Sequence, residues 1–174
     1  MINAPANVPA ISGEFAELVS EHLDELITYA AHLVGDADSA VELAAAGIFH
    51  AAKYPPARVR VDGPAALYRG VTRACRNGER FPPRPRGASR LWRRSRPPIE
   101  TEFRGGDVAS RMNTVKRALM TLPFERRAAL LLRNLGGLGY AEIARALECS
   151  PEAAGRLLAA SRRQFSAVYR EIAI

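Results

Sequence analysis

Residues 81–106, FPPRPRGASRLWRRSRPPIETEFRGG, hold five prolines, three glycines and seven arginines in 26 positions. Proline removes backbone donors and glycine loosens the chain, so this stretch has little with which to build a core. It therefore divides the 174 residues into two flanks, each long enough for one small domain and no more. The expected organisation is a flexible amino terminus over 1–12, a first domain over 13–80, a linker over 81–109 and a second domain over 110–174.

Both flanks read as helical. In residues 14–33, Phe15, Leu18, Val19, Leu26, Ala30 and Leu33 recur at helical spacing, with glutamates and Asp24 opposite them. Gly35 and Asp36 end that helix. A second is expected from Asp38 to about Lys53, where Pro55 and Pro56 stop it. A third begins near Pro64 and runs to Asn77, ending at Gly78. Beyond the linker, Met112, Val115, Leu119 and Leu122 form a stripe, and Phe124–Leu135 is a strongly apolar helix closed by Gly136 and Gly137. Tyr140–Leu147 is a short helix. Ser150, Pro151 and Glu152 supply an N-cap, a first-turn proline and a first-turn acid for a last helix to about Ile172. The expected fold class is all-α: two small helical lobes joined by a Pro/Arg-rich linker.

Charge is distributed unevenly. Residues 1–54 carry eight acids and one base, residues 55–110 five acids and thirteen bases, and residues 111–174 five acids and eleven bases. An acidic lobe followed by basic segments suits a basic protein partner and a phosphate backbone as separate contacts; a solubilising arginine surface is the plainer reading. No apolar run approaches the roughly 18–20 residues of a membrane span. The amino end shows no basic stretch followed by an apolar block, and Cys75 and Cys149 make neither a disulfide framework nor a metal spacing, so the cytoplasm is expected. His22, His32 and His50 lack metal-ligand companions, and no nucleophile triad or phosphate loop occurs. Neither an enzyme nor a cofactor is expected.

Two stretches carry the functional signal. At about 100° per residue, Arg69, Arg73 and Arg76 fall within about 60° of one another, opposite Leu67, Val71 and Ala74, with Asn77 at the end. Such a row suits phosphates and bases, and equally a solvated face. On the first reading, replacing all three arginines abolishes the nucleic-acid function with helicity intact; lost helicity would mean that they hold the lobe together. The second stretch, Leu138–Arg163, has the short helix, tight Glu148-Cys149 turn and capped longer helix of a helix-turn-helix. Ile143, Ala144 and Leu147 are expected to pack on Ala154, Leu157 and Leu158, leaving Glu152, Gly155, Arg156, Ala159 and Arg163 outside. An ordinary helical hairpin is the alternative. Cys149, in the turn, reads as a small apolar filler.

The order of these parts resembles the extracytoplasmic-function (group IV) sigma factors of bacterial RNA polymerase, over about residues 13–172. FAELVSEHLDELITYAAHLVGDADSAVEL is similar to the family's region 2 opening, LYRGVTRACRN to its promoter-element helix, and ALMTLPFERRAALLLRNLGGLGYAEIARALECSPEAA to region 4. The resemblance implies a promoter-specificity subunit. Its partners would be core RNA polymerase, through the clamp helices of the largest subunit and the flap of the second, promoter DNA, and an anti-sigma factor. It places Arg69, Arg73, Arg76 and Asn77 on the −10 helix, and Ser150, Glu152, Arg156, Arg162 and Arg163 in or after the −35 recognition helix. Asp38, Glu42, Leu43 and Phe49 fall in the core-polymerase-binding segment. There the family's acid-rich Asp-Leu-Val-Gln-Glu-type run is replaced by Glu42-Leu43-Ala44-Ala45-Ala46, which keeps one acid. The alternative function is a sigma-like interaction module that has lost initiation activity and binds an anti-sigma factor, another regulator or polymerase.

Overall fold

In the computed structural model, which describes residues 13–80 and 106–173, eight helices account for most of the described residues. They are α1 (Gly13–Val34), α2 (Ala37–Ala51), α3 (Pro56–Asp62) and α4 (Pro64–Arg80) in the first lobe. The second lobe holds α5 (Gly106–Met120), α6 (Phe124–Asn134), α7 (Tyr140–Leu147) and α8 (Pro151–Ile172). Among the described residues there is no strand, and the all-α expectation holds.

The punctuation follows local chemistry. Gly35 takes a φ of 77° and its N–H closes α1 on the Ala31 carbonyl at 2.9 Å, the left-handed turn that glycine adopts at least cost. Asp36 then caps α2, its carboxylate accepting from the N–H groups of Asp38 and Ser39 at 3.2 and 3.0 Å. The Ser39 hydroxyl and N–H hold this carboxyl below its ordinary range. Asp36→Ala is expected to lower stability by about 1 kcal/mol, the usual cost of a lost N-cap, as read from a urea transition at pH 7. Because the folded carboxyl is the stronger acid, its contribution is present at neutral pH and fades as pH falls through its depressed value. Wild-type stability in that variant would mean that the cap is not formed.

Three boundaries differ from the sequence reading. Pro55 and Pro56 do end α2, but Pro56 also opens the seven-residue α3, since proline at a first helical position has a preset φ and no N–H to satisfy. Gly78 does not stop α4, which continues to Arg80. On the carboxy-terminal side α5 begins at Gly106, inside the segment expected as linker. The rest of that expected linker, with Trp92 and its arginines, and the expected flexible residues 1–12 lie outside the described residues.

The first lobe is built on a close crossing of α2 and α4. A Cβ on Gly47 would collide with the backbone of Val71, and one on Gly70 with the carbonyl of Gly47. The helices therefore touch backbone to backbone. Tyr29 of α1 is fully buried, donates or accepts a 2.7 Å hydrogen bond with Thr72 and meets the Tyr68 ring edge-on at 5.3 Å. Burial pushes its hydroxyl well above the ordinary phenol range, so it stays protonated.

The two lobes share one core. Leu26, Leu33, Tyr68 and Val71 belong to the same buried cluster as Leu122, Leu132, Ile143 and Leu158. α4 lies at the centre, against α1 and α2 on one side and α7 on the other, while α1 meets α6. The Tyr68 ring rests against Gly136 and the Met120 side chain against Gly35. Arg127, 5% exposed, reaches from α6 to donate to the Leu33 carbonyl of α1 at 2.7 Å.

Candidate nucleic-acid interface

The second lobe supplies the more complete surface. Gly139 precedes α7, and its N–H donates to the Glu142 carboxylate at 2.7 Å, satisfying one of the orphan donors of a helix start. α7 ends at Glu148, whose φ of 56° turns the chain left-handed, and the Cys149 N–H returns to the Ala144 carbonyl at 2.9 Å. Ser150 then caps α8 by accepting from the Ala153 N–H at 3.2 Å. Ile143 and Ala144 pack against Ala154 and Leu158, all buried, with Leu147 and Leu157 half-buried beside them. This is a helix-turn-helix, with α8 in the position of the recognition helix.

On α8, Glu152, Arg156, Arg162 and Arg163 are exposed. At helical spacing Arg156 and Arg163 lie within about 20° of each other, and Glu152 within about 60° of both, whereas Arg162 is turned away by about 120°. Arg170, seven residues after Arg163, continues this line and is exposed; the sequence reading passed over it, though the seven-residue spacing was the available signal. A Cβ at Gly155 would meet nothing within 4 Å, so a ligand backbone has open access beside Arg156. The Glu152 carboxyl is held below its ordinary range by backbone N–H and then by the Ser150 hydroxyl, with the Arg156 charge adding to them.

The expectation about Cys149 is corrected: it is exposed rather than a filler of the turn. Partial burial of the thiol, and the Glu125 charge, push its pKa up. The thiol form, and not the reactive thiolate, is thereby favoured.

The expected arginine row on α4 is corrected as well. Arg69 is 4% exposed, donates to Asp62 at 2.5 Å and lies over the Tyr54 ring at 4.7 Å. Arg76 pairs with Glu125 of α6 at 2.8 Å and lies 5.5 Å from the Phe124 ring centre. Only Arg73 and Asn77 of the four are exposed. The helix has two faces, as its periodicity required, but on the polar face Arg69 is enclosed by Asp62 and Tyr54 and Arg76 is paired with the second lobe, while Arg73 and Asn77 stay exposed.

Of the segment expected to bind core polymerase, Asp38, Glu42 and Phe49 are exposed on α2. Their spacing of four and seven residues puts them on one side. Phe49 is 45% exposed, with the Lys53 ammonium 4.7 Å above its ring. Leu43 is turned inward, half-buried against Gly78 of α4, and so belongs to the packing of the lobe. Among the described residues no group of His, Cys, Asp or Glu could hold a metal ion. No helix there is long and apolar enough to cross a membrane.

Residues 112–165, from α5 to α8, match the family model described as sigma-70, region 4. This segment is similar to sigma-70 region 4. The helix-turn-helix built by Gly139, Glu148 and Ser150 lies inside the matched segment. No curated protein matches the chain. Among solved structures it resembles one described as the structure of CnrH in complex with the cytosolic domain of CnrY, at 23% identity and a TM-score of 0.59. The likeness covers 90% of this chain and 88% of that one, so the fold extends the similarity well beyond region 4, into the first lobe. The family match supports the region 4 part of the resemblance, and the structural likeness shows that the fold is shared.

Proposed function

We propose that this chain is a transcription initiation factor of the extracytoplasmic-function type, which binds core RNA polymerase and directs it to a small set of promoters. In this reading α8 reads the −35 element, α4 helps to open and read the −10 element, and the exposed side of α2, with Asp38, Glu42 and Phe49, docks on the polymerase clamp. The observation that carries it is the exposed Arg156–Arg163 face on a capped second helix of a helix-turn-helix, inside the segment that matches sigma-70 region 4. Guanidinium groups in that position can hold phosphates and guanine edges together.

The test is co-migration of the purified chain with core polymerase on a sizing column, followed by run-off transcription on fragmented genomic DNA. Stable co-migration with discrete transcripts is expected. Arg156→Ala is expected to weaken binding to the −35 duplex by about 1–3 kcal/mol and to reduce the salt dependence of binding. Unchanged affinity in that variant would remove the recognition-helix assignment.

A second reading, an interaction module without initiation activity, is favoured by the reduced acid content of Glu42–Ala46 and by the engagement of Arg69 and Arg76 within the chain itself. CnrH, the structural neighbour, is in complex with the cytosolic domain of another protein. An anti-sigma factor is the corresponding partner here. Failure to co-migrate with polymerase well above micromolar concentration would select this reading.

A further inference from the structure

Charge does not balance around Asp62. Its side chain, 9% exposed, stands 2.5 Å from the enclosed Arg69, and these two offset each other. Two further guanidinium groups converge on the same carboxylate, Arg58 of α3 through Nε at 3.6 Å and Arg145 of α7 through Nε at 3.7 Å. Both distances are too long for hydrogen bonds. Asp62 therefore draws these arginines in without satisfying them, and three positive charges share one negative. The Nε atoms of Arg69 and Arg145 are buried without a hydrogen-bond partner among the described residues, and donors withdrawn from water in this way are costly. The Tyr54 ring closes one side, with Arg69 at 4.7 Å and Arg58 at 5.2 Å from its centre. The side chains of Arg58 and Arg145 are 52% and 40% exposed, so the cluster opens to solvent along its arginine rim.

We propose that Arg58 and Arg145, backed by the Asp62–Arg69 pair, form a binding site for the dianionic phosphate group of a small phosphate monoester. The surplus of positive charge selects the class of ligand. A monoester or free phosphate carries close to two negative charges at neutral pH, which match the two guanidinium groups that Asp62 leaves unsatisfied. The diester of a nucleic-acid backbone carries one. Each guanidinium presents a planar fork that suits two phosphate oxygens. The anion sits on the solvent side of the rim, away from the Asp62 carboxylate, whose charge Arg69 already offsets. Beside these enclosed groups, the attraction is less screened than at the exposed arginines of α8. Arg58 belongs to the first lobe and Arg145 to the first helix of the helix-turn-helix, so one occupant touches both lobes as they stand docked. The site is separate from the Arg156–Arg163 face and does not rest on the promoter reading.

The test is calorimetric titration of the full-length chain with inorganic phosphate at neutral pH, with sodium chloride holding the ionic strength constant. Saturable binding at a single site is expected. The double variant Arg58→Gln with Arg145→Gln is expected to lower the affinity roughly tenfold or more, the usual effect of losing hydrogen bonds to a charged group. Asp62 keeps its buried partner Arg69 in that variant, and circular dichroism checks that it stays folded. Should it unfold, Arg58→Gln alone, at a half-exposed position, makes the same distinction. Arg156→Gln, on the exposed face of α8, is expected to bind phosphate as the wild type does. Dimethyl phosphate, with one negative charge, is expected to bind at least about fivefold more weakly than phosphate. No saturable binding by the wild type, or equal binding by the double variant, would overturn the site. Equal affinity for dimethyl phosphate would overturn the choice of a monoester. The salt dependence of binding to duplex DNA separates the remaining source of phosphate: it is expected to be the same in the double variant as in the wild type. A slope shallower by about one for each arginine removed would assign Arg58 and Arg145 to the DNA backbone instead.

Discussion

Arg69→Ala is expected to lower the unfolding free energy by about 3 kcal/mol, as measured by urea denaturation at neutral pH. The residue is 4% exposed, and its removal leaves the Asp62 carboxylate enclosed with only the more distant Arg58 and Arg145. Breaking a buried pair from one side costs more than the pair itself contributes, because the survivor keeps its desolvation penalty. Arg69→Lys is expected to recover only part of the loss, since an ammonium reproduces neither the planar fork toward Asp62 nor the stacking over Tyr54. Arg73→Ala, at an exposed position of the same helix, is expected to change stability by no more than about 0.5 kcal/mol. Equal effects at the two positions would mean that the Asp62 pair does not form in solution. For the triple replacement of Arg69, Arg73 and Arg76, these contacts point to loss of folded structure, the outcome that marks a role in holding the lobe together.

Gly70→Val is expected to cost at least about 3 kcal/mol, at or beyond the upper end of ordinary overpacking. Its Cβ would fall on the Gly47 carbonyl of the opposing helix, and a backbone oxygen cannot move aside as a side chain can. The measurement is the thermal transition followed by circular dichroism. Gly155→Ala is the control: a Cβ there meets nothing, and exchanging glycine for alanine in a helix interior adds stability of about 0.5–1 kcal/mol. A Gly70→Val variant that melts with the wild type would show that α2 and α4 do not cross at contact distance.

Most of the helices were legible along the chain because their signals are local. Tyr140–Leu147 and the Ser150 cap of α8 coincide with the expected positions, since a helix start is announced by a side-chain acceptor and a first-turn proline regardless of what packs later. The short α3 was missed for the same kind of reason: a proline pair carries one message as the end of a helix and another as a beginning. The outward position of Arg156 and Arg163 followed from the apolar stripe of α8, because a surface helix presents whatever lies opposite its buried side.

Periodicity by itself thus determined that α4 has a polar side bearing Arg69, Arg73 and Arg76. It could not determine what that side would meet. Asp62 lies seven residues upstream of Arg69, but Glu125 lies 49 residues beyond Arg76 and Arg145 is 83 residues beyond Asp62. Ion pairs over such separations exist only after two helical lobes have docked, and the sequence of one helix holds no record of the other. The tertiary structure alone decided that Arg69 and Arg76 meet carboxylates and not water, while Arg73 stays exposed. The physical reason is that the apolar surfaces of α1, α4, α6 and α7 bury against one another in a single core, and that burial carries the charged groups on their margins into contact.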